Sequence, residues 1–486
     1  MKSLILPDGF ESFSLGWLPQ EAIVSFKASL EEEAPVVSLR FNEEKSFKSA
    51  PEELVSLFGE EQCKGAVKWA ANGFYLKQRP LFAADPLYHA GLYYVQDASS
   101  MFMDLAFKII EYNLGGAPLR ERRLRLLDLC ASPGGKSTHL LSLVGKESLL
   151  VSNEAVSGRT ASLAENIARW GSDNVVVTNN DAADFKRLKS FFDIIVVDAP
   201  CSGEGMFRKS GAAVGGWSRE SVMLCAGRQR RILNDIWEAL APGGFLVYST
   251  CTYNSYENDG NIDYLLERGA ELLSPSEGEL AFIRDCGIVP TPAGGFQFLP
   301  GMVEGEGQYF AVVRKEEGER FHLKRSGKKE KSGRGVLPDG FTHLFPEYDI
   351  VLCDTLVKGF RSSLHSEMEF VAGNLKCISS GLLIGQMKGS DFIPHADFAL
   401  SLLLAEGLKS GRAAQYGECF KSVEVEKAVA LSFLAREPFP LDNAPCGYLL
   451  LLYRGRAIGF VKNLGKRVNN LHPVARRIRR SDIIAR

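Results

Sequence analysis

Residues 124–143 have the sequence LRLLDLCASPGGKSTHLLSL, and this stretch decides the fold. A short apolar strand at 124–129 leads into a glycine-rich turn, and a helical pattern follows at 136–143. Glycines in such a turn let a ligand approach the backbone closely, because they have no side chain. The stretch therefore predicts a strand–turn–helix unit with a ligand at its turn.

Two common glycine-rich templates do not fit this turn. Gly135-Lys136-Ser137 looks like the end of a P-loop, but that template needs a glycine where Cys130 stands. The turn also lacks the GxGxxG spacing, so support for a dinucleotide site is weak. On this segment alone, a tight turn that binds nothing stays an alternative.

Strand and helix patterns continue to alternate after the turn. Strands are predicted at 149–151, 174–178, 192–197 and 245–249, and helices at 158–170 and 228–240, the last ended by Pro242-Gly243-Gly244. Apolar strands that alternate with helices are typical of a parallel, doubly wound sheet. In such sheets, ligands bind at the carboxyl ends of the strands.

Acidic residues stand at the ends of three successive predicted strands: Asp128, Glu154 and Asp181. An acid about 20 residues beyond the glycines suits hydrogen bonds to ribose hydroxyls, which favours Glu154 for that role. Asp181 is expected to reach an adenine edge. Each acid alone is more often a helix cap, but their coincidence indicates a nucleoside cofactor across the strand ends.

Two cysteines also follow strands, Cys201 in DAPCSGEG (198–205) and Cys251 in YSTCTY (248–253). A thiol near cationic groups can act as a nucleophile. Disulfide exchange is a less favoured alternative, because no cysteine pair has CxxC spacing. Adding a thiolate to carbon 6 of a pyrimidine lets carbon 5 attack an electrophilic methyl group, for which S-adenosylmethionine is the natural donor. This chemistry does not tell Cys201 from Cys251.

Three motifs carry a family resemblance: DLCASPGGKS (128–137), FDIIVVDAPCSGEG (192–205) and GGFLVYSTCTYNSYEND (243–259). Together they resemble the Sun-type (NSUN) RNA cytosine-C5 methyltransferases. Residues 39–42, 93–100 and 305–310 are also similar to segments of that family. The tail, 447–473, resembles the PUA-like domain of the RsmF-like bacterial branch. The resemblance covers most of the chain and is least clear in 320–430.

The resemblance implies an α/β fold, with a Rossmann-like class I methyltransferase domain at 96–315. An N-terminal α+β RNA-binding segment would occupy 1–95, and a C-terminal RNA-binding region would occupy 339–486, with its PUA-like domain at 390–486. A linker is expected at 316–338, because this segment is rich in Lys, Arg, Glu and Gly and cannot bury a core.

The resemblance also assigns roles to individual residues. Cys251 matches the nucleophile, Cys201 matches the thiol that assists release of the product, and Asp198 matches the acid that holds the cytosine edge. Glu154 is expected at the ribose of S-adenosylmethionine and Asp181 at its adenine. The remaining expected cofactor contacts are Asp198 and the turn residues Ala131, Ser132, Pro133, Gly134, Gly135, Lys136 and Ser137.

The implied activity is S-adenosylmethionine-dependent formation of 5-methylcytidine in RNA through a covalent adduct between Cys251 and carbon 6 of cytosine. The RsmF-like tail favours 16S rRNA, free or within the small ribosomal subunit. Transfer RNA or DNA as the substrate, and a non-catalytic rRNA-binding assembly factor, are the alternatives. The cysteine pair and the acids favour an enzyme over an assembly factor.

Composition limits the class of protein. The 486 residues carry a net charge of -2, but residues 448–480 hold nine Lys or Arg and no acid, which predicts RNA phosphate binding there. Apolar runs are too short for a membrane span, and residues 1–20 lack the pattern of a signal peptide. A cytoplasmic monomer is expected. No metal site is expected, because the seven histidines form no HxxxH or HExxH pair.

Overall fold

The computed structural model describes residues 6–31, 36–209, 211–316, 318, 321, 345–409 and 420–479. The strands are Val37–Phe41 (β1), Cys63–Ala66 (β2), Gly73–Leu76 (β3), Tyr93–Val95 (β4), Arg125–Asp128 (β5), Leu149–Asn153 (β6), Val175–Thr178 (β7), Phe192–Asp198 (β8), Leu240–Thr250 (β9), Ala270–Leu272 (β10), Val289–Pro290 (β11), Phe296–Phe298 (β12), Gln308–Lys315 (β13), Tyr348–Cys353 (β14), Leu356–Arg361 (β15), Cys377–Ser380 (β16), Leu382–Lys388 (β17), Asp391–Pro394 (β18), Lys421–Glu424 (β19), Gly447–Tyr453 (β20), Arg456–Asn463 (β21) and Val468–Asn470 (β22).

The α-helices of the described residues lie between these strands or flank them. They are Gln20–Ser29 (α1), Ala50–Phe58 (α2), Pro86–His89 (α3), Met103–Asn113 (α4), Gly135–Leu143 (α5), Ser157–Trp170 (α6), Gly211–Gly215 (α7), Arg219–Ile236 (α8), Asp259–Leu266 (α9), Glu277–Asp285 (α10), His365–Asn374 (α11), Ala396–Ala399 (α12), Leu402–Lys409 (α13) and Lys427–Leu434 (α14).

The central sheet has the strand order β11-β12-β13-β9-β8-β5-β6-β7-β16, and β10 pairs with β13. Strands β7, β6, β5, β8 and β9 are parallel, whereas β13 and β16 pair antiparallel at either side of them. The predicted Rossmann-like α/β fold is therefore confirmed. The parallel sheet is confirmed for its five central strands, and the antiparallel strands make the whole sheet mixed.

The apolar strand sequences reflect burial on both faces of this sheet. In β8, Ile194 and Val196 pack into one core with Val247, while Ile195 packs with Leu246 into a second core on the opposite face. Alternate residues of a strand point to opposite faces, so a strand covered on both sides must be apolar throughout. This covering places the strand ends, rather than the faces, in reach of a ligand.

One predicted helix has different bounds in the structure. The pattern predicted a helix at 228–240, but α8 begins at Arg219 and ends at Ile236. Ser218 caps it through the backbone N–H of Ser221, which explains the earlier start. Pro242-Gly243-Gly244 does not separate the helix from the next strand, because it lies inside β9.

The N-terminal sheet has the order β2-β3-β1-β4 and is antiparallel. Because β1 runs opposite to β3 and β4, its first residues lie beside their last residues: Val37 pairs with Leu76, and Leu39 pairs with Val95. Just beyond this end of the sheet, Asp97 accepts the backbone N–H of Glu306 at 3.2 Å. This hydrogen bond connects the N-terminal sheet to the part of the chain that forms the central sheet.

The C-terminal part forms two further four-stranded sheets, β14-β15-β17-β18 and β19-β20-β21-β22. In the chain, β16 lies between β15 and β17 of the first of these sheets, but it pairs with β7 of the central sheet instead. Most of the predicted 316–338 linker lies outside the described residues, but Phe321 packs against Phe191 and Phe370. The domain boundaries stay predictions. In the described part of the chain, each helix is too short or too polar to cross a lipid bilayer.

Candidate active site

The turn between β5 and α5 contains a glycine in a left-handed backbone conformation. Gly134 has a φ of 112°, a conformation that favours glycine, and it directly precedes α5. A Cβ added there would lie 3.3 Å from Leu163, so the turn packs closely on α6. Ala131 is buried and donates its backbone N–H to the Asn153 carbonyl at 2.8 Å.

Other side chains and carbonyls of the turn tie it to α6. The Ser132 hydroxyl donates to the Arg159 carbonyl at 3.0 Å, and the Pro133 carbonyl accepts from the Asn166 amide at 2.8 Å. These contacts fix the turn between two helices that both begin at strand ends. Its glycines thus stay in a set geometry at the edge where the cofactor was predicted.

Ser137 is turned away from this edge. Its hydroxyl donates to Asp128 Oδ2 at 2.6 Å and also contacts the Ser152 hydroxyl, all in the interior. Burial raises the pKa of Asp128 to about 7. Within the described residues, Asp128 Oδ1 is buried and has no hydrogen-bond partner. A buried acceptor without a donor fits a ligand that brings one.

The two remaining strand-end acids differ in exposure. Glu154 is 4% exposed, and its Oε1 accepts the backbone N–H of Val156 at 2.8 Å. Asp181 is half-exposed, and both its oxygens accept from Arg231 of α8 at 2.9 and 3.2 Å. The hydrogen bond from Arg231 holds the pKa of Asp181 below its usual range. Both acids lie at the carboxyl edge of the sheet, as predicted.

The sulfur atoms of Cys201 and Cys251 lie 3.2 Å apart. They follow β8 and β9, which are parallel neighbours with Asp198 beside Ser249. The hydrogen bond with Cys251, together with burial, raises the pKa of Cys201 well above its ordinary value. Burial and this hydrogen bond therefore favour the protonated form of Cys201, and either sulfur can be the donor between the two.

Lys136 joins the glycine turn to Asp198. Its ammonium donates to Asp198 Oδ2 at 2.8 Å, and only 12% of the lysine side chain is exposed. Burial acts to lower the pKa of Lys136, but the charge of Asp198 and the hydrogen bond to it prevail, and Cys251 adds to them, so the net shift is upward. A fixed cation therefore stands between the predicted cofactor turn and the thiols.

Two more donors orient Asp198, one from the 243–259 motif and one from the 305–310 segment. Ser249 Oγ donates to Asp198 Oδ1 at 2.8 Å, and Gln308 Nε2 donates to the same oxygen at 3.0 Å. Gln308 lies on the antiparallel strand β13, which pairs with β9. Gln308 lies in the 305–310 segment that resembles the family, but the sequence assigned it no role in the site.

Glu204 is a site residue that the sequence did not identify. It is fully buried, and its carboxylate accepts five hydrogen bonds of 2.7 to 3.1 Å. The donors are the Ser14 hydroxyl, the Trp217 indole, the backbone N–H groups of Tyr253 and Asn254, and the Asn254 amide. Glu204 follows Cys201 by three residues, and Tyr253 follows Cys251 by two. One carboxylate thus connects the two loops that carry the thiols.

A second buried carboxylate supports the same loops. Glu257 accepts from the backbone N–H of Ser202 at 3.0 Å and from the amides of Gln229 and Asn254 at 2.7 and 2.9 Å. Burial raises the pKa of Glu257. Both acids lie inside the motif segments, Glu204 in 192–205 and Glu257 in 243–259, and this position is the signal that would have identified them.

Arg40 connects the N-terminal sheet to the glycine turn between β5 and α5. It is 1% exposed and donates to Thr138 Oγ1 at 2.8 Å and to the Gly135 carbonyl at 3.4 Å. Its guanidinium also lies over the Trp170 ring, 4.6 Å from the centroid. Burial lowers the pKa of Arg40 to about 9.

Some basic side chains of the tail contact other residues of the protein, and others are exposed. Lys462 lies over the Tyr448 ring at 4.7 Å, and Arg476 pairs with Asp397 at 2.6 Å. Lys466 and Arg467 are exposed. Arg480 lies outside the described residues. Across the described ranges, no group of three His, Cys, Asp or Glu side chains could hold a metal ion.

Comparisons with known proteins cover most of the chain. Residues 118–314 match the family model of the 16S rRNA methyltransferase RsmB/F, residues 6–98 match the N-terminal domain of 16S rRNA methyltransferase RsmF, and residues 420–478 match the methyltransferase RsmF PUA domain. Ribosomal RNA small subunit methyltransferase F of Aeromonas salmonicida is 31% identical over 433 residues, and that of Aeromonas hydrophila is 31% identical over 436 residues. Each alignment covers 84% of both chains.

A solved structure has a similar fold. The crystal structure of NSun6 from Pyrococcus horikoshii with SFG has a TM-score of 0.51 and 19% sequence identity to this chain. The match covers 64% of this chain and 99% of that one. At this identity, the likeness shows the fold alone.

Proposed function

The chain belongs to the RsmB/F family of 16S rRNA methyltransferases, and we propose that it forms 5-methylcytidine in 16S rRNA with S-adenosylmethionine as the methyl donor. The observation that supports the cytosine-C5 chemistry is the pair of thiols 3.2 Å apart beside Asp198. The C-terminal match to the RsmF PUA domain supports an RNA substrate. Cytoplasmic action as a monomer is part of the proposal.

The residues at the carboxyl edge of the sheet fit S-adenosylmethionine. The open glycine turn at 131–137, the strand-end acids Glu154 and Asp181, and the partnerless oxygen of Asp128 would hold it, with Asp198 beside them. When bound there, this cofactor supplies an electrophilic methyl group. The Ser137 hydroxyl is engaged in the interior, so a contact from this residue would come from its backbone.

Cys251 is the proposed nucleophile toward carbon 6 of cytosine. Cys201 keeps its proton, because the hydrogen bond with Cys251 and burial raise its pKa, so it can stabilise a thiolate at Cys251 by donating S–H. The Lys136 ammonium adds positive charge to the same site. A thiolate that is stabilised in this way is the reactive form of cysteine.

Asp198 is proposed to hold the edge of the base. Its carboxylate is fixed by Lys136, Ser249 and Gln308, so it can accept from ring nitrogen 3 when that nitrogen is protonated. Protonation of that nitrogen makes carbon 6 more electrophilic toward Cys251. After methyl transfer, a base takes the carbon-5 proton, and the electrons of that bond restore the double bond between carbons 5 and 6. The bond from carbon 6 to the Cys251 sulfur breaks at the same time, and Cys201 assists this release.

The target base has to leave its stack to reach the thiols. Enzymes that act on a base flip it out of the helix or use a nucleotide that is already unpaired. Proteins recognise folded RNA largely through its shape and its single-stranded parts. The N-terminal and C-terminal parts of this chain are the proposed source of that recognition.

Bisulfite mapping tests the proposal. Ribosomal and transfer RNA from a deletion strain would be compared with RNA from strains complemented by the wild-type gene or by Cys251→Ala. We expect a 16S rRNA cytidine to lose its protection from bisulfite in the deletion strain and to regain it only with the wild-type gene. Labelled methyl transfer by the purified protein to 16S rRNA, small subunits, transfer RNA and DNA then identifies the direct substrate. Label in transfer RNA or DNA alone would contradict the proposal.

A further inference from the structure

A groove of about 590 Å³ opens where the N-terminal sheet meets the catalytic part of the chain. Its walls are residues 36–38, 77–79 and 95–97, together with Lys209. Antiparallel pairing creates this groove, because it brings the start of β1 beside the ends of β3 and β4. We call it the sheet-end groove. Its volume lies within the range of about 300–1,000 Å³ that is typical of ligand pockets.

The charge of the sheet-end groove favours an anion. Lys77, Arg79 and Lys209 line it, and Asp97 is the acid among its lining residues. Asp97 already accepts the backbone N–H groups of Ser99 at 3.0 Å and Glu306 at 3.2 Å. Lys209 lies 4.0 Å from Glu306, whereas Lys77 and Arg79 are exposed.

The groove also has apolar surface between its charges. Val37 at the start of β1 and Val95 at the end of β4 contribute it, and both belong to strands of the same sheet. Apolar surface flanked by cations suits a nucleotide, whose base and ribose pack on side chains while its phosphate contacts Lys or Arg.

Two residues connect the wall of the groove to the backbone of Cys251. Asp97 in its wall accepts the Glu306 N–H, and the Gly205 N–H donates to the Cys251 carbonyl at 2.7 Å. A Cβ on Gly205 would lie 2.6 Å from the Cys251 carbonyl oxygen and 3.1 Å from that of Glu306. Glu306 and Gly205 therefore separate the groove wall from Cys251.

We propose that the sheet-end groove binds the single-stranded RNA that flanks the target cytidine. Lys77, Arg79 and Lys209 contact its phosphates, and Val37 and Val95 contact a ribose or a base. This proposal rests on the proposed function, because an RNA whose cytidine reaches Cys251 continues past Glu306 into the groove. Contacts to phosphate position the strand without selecting its sequence.

Salt-dependent binding tests the proposal. The Lys77→Gln/Arg79→Gln double variant and Lys209→Gln would be compared with the wild-type protein in filter binding of 16S rRNA fragments across a range of KCl concentrations. We expect the Kd of the double variant to rise about tenfold, because phosphate contacts supply much of the affinity. The slope of log Kobs against log salt should fall by about 0.7 for each lost contact to a single strand. The Kd for S-adenosylmethionine, measured by calorimetry, should not change.

Lys48→Gln is the matched control, because Lys48 is an exposed lysine of the same N-terminal part but does not line the groove. Unchanged affinity and salt slope in both groove variants would overturn the proposal. An equal change in Lys48→Gln would also overturn it, since net charge would then explain the effect. If the protein bound RNA through the groove but methylated none, the groove would stand and the proposed function would fail.

Discussion

The sulfur atoms of Cys201 and Cys251 lie 3.2 Å apart, although 50 residues separate them in the chain. The parallel neighbours β8 and β9 deliver both thiols to the same edge of the sheet, beside Asp198. At this distance one thiol can attack a base while the other, whose pKa is raised by the hydrogen bond and by burial, retains its proton. The two cysteines therefore lie close enough to act on the same base at different steps of one reaction.

Replacing each of the two cysteines should stop the reaction at a different step. Cys251→Ala is expected to abolish methyl transfer and to form no covalent complex with RNA. Cys201→Ala is expected to accumulate a protein–RNA adduct, because attack proceeds and release stalls. Denaturing gel electrophoresis with labelled 16S rRNA measures both. An adduct with Cys251→Ala, but none with Cys201→Ala, would show that the roles are reversed.

Lys136→Gln should slow the reaction without weakening RNA binding. The ammonium donates to Asp198 at 2.8 Å and lies near Cys251, so its loss removes a fixed positive charge from both groups. We expect kcat to fall about 100-fold, the usual effect of losing one pre-positioned donor. Single-turnover methyl transfer measures the change. Lys146→Gln is the control, since Lys146 is exposed and pairs with Glu406, and a similar loss there would contradict a specific role for Lys136.

Glu204→Gln should disturb both thiol loops. The carboxylate accepts five hydrogen bonds, and an amide would turn an N–H toward at least one of these donors. A loss of about 2–4 kcal/mol in the free energy of unfolding is expected. Adduct formation by folded protein should also slow, because Tyr253 and Asn254 follow Cys251 by two and three residues.

Ser14→Ala provides the matched comparison for Glu204. It removes one donor and leaves the carboxylate with its other four, so about 1 kcal/mol and little activity should be lost. Denaturant titration and adduct-formation rates measure the two effects. Equal rates in wild-type and Glu204→Gln protein would show that Glu204 serves stability alone.

Asp128 should make stability fall as the pH rises toward neutrality. Burial raises its pKa in the folded protein to about 7, above the ordinary value of 3.8, so between these values the folded state holds a proton that the unfolded chain releases. This contribution is complete below the unfolded pKa and is lost through the folded pKa. Between pH 5.5 and 8, the wild-type protein should lose roughly 2 kcal/mol relative to Asp128→Asn, as measured by urea denaturation. A parallel pH dependence of the two proteins would contradict this.

Glu154→Gln should weaken S-adenosylmethionine and leave RNA binding intact. Glu154 is buried at the end of β6, where a carboxylate suits ribose hydroxyls. The Kd for the cofactor, measured by calorimetry, should rise about tenfold, as expected for the loss of a charge-assisted hydrogen bond. Glu165→Gln, an acid of the same region that pairs with Arg169 on α6, should bind the cofactor like the wild type. No change in Glu154→Gln would remove its proposed role.

Local sequence patterns predict the central sheet and the edge of it at which the site lies. Apolar strands, a glycine turn and strand-end acids are local patterns, and parallel strands bring their carboxyl ends together. For this reason the sequence predicts one shared edge of the sheet for Asp128, Glu154, Cys201 and Cys251.

The side chains that support that edge could be identified from the three-dimensional packing alone. Glu204 meets Ser14 across 190 residues, Gln308 reaches Asp198 from an antiparallel strand, and Arg40 enters the cofactor turn from another sheet. The strand β16 joins the central sheet from the C-terminal part of the chain in the same way. Such contacts have no local pattern, because packing brings distant segments together and buried polar groups then require the partners they meet there.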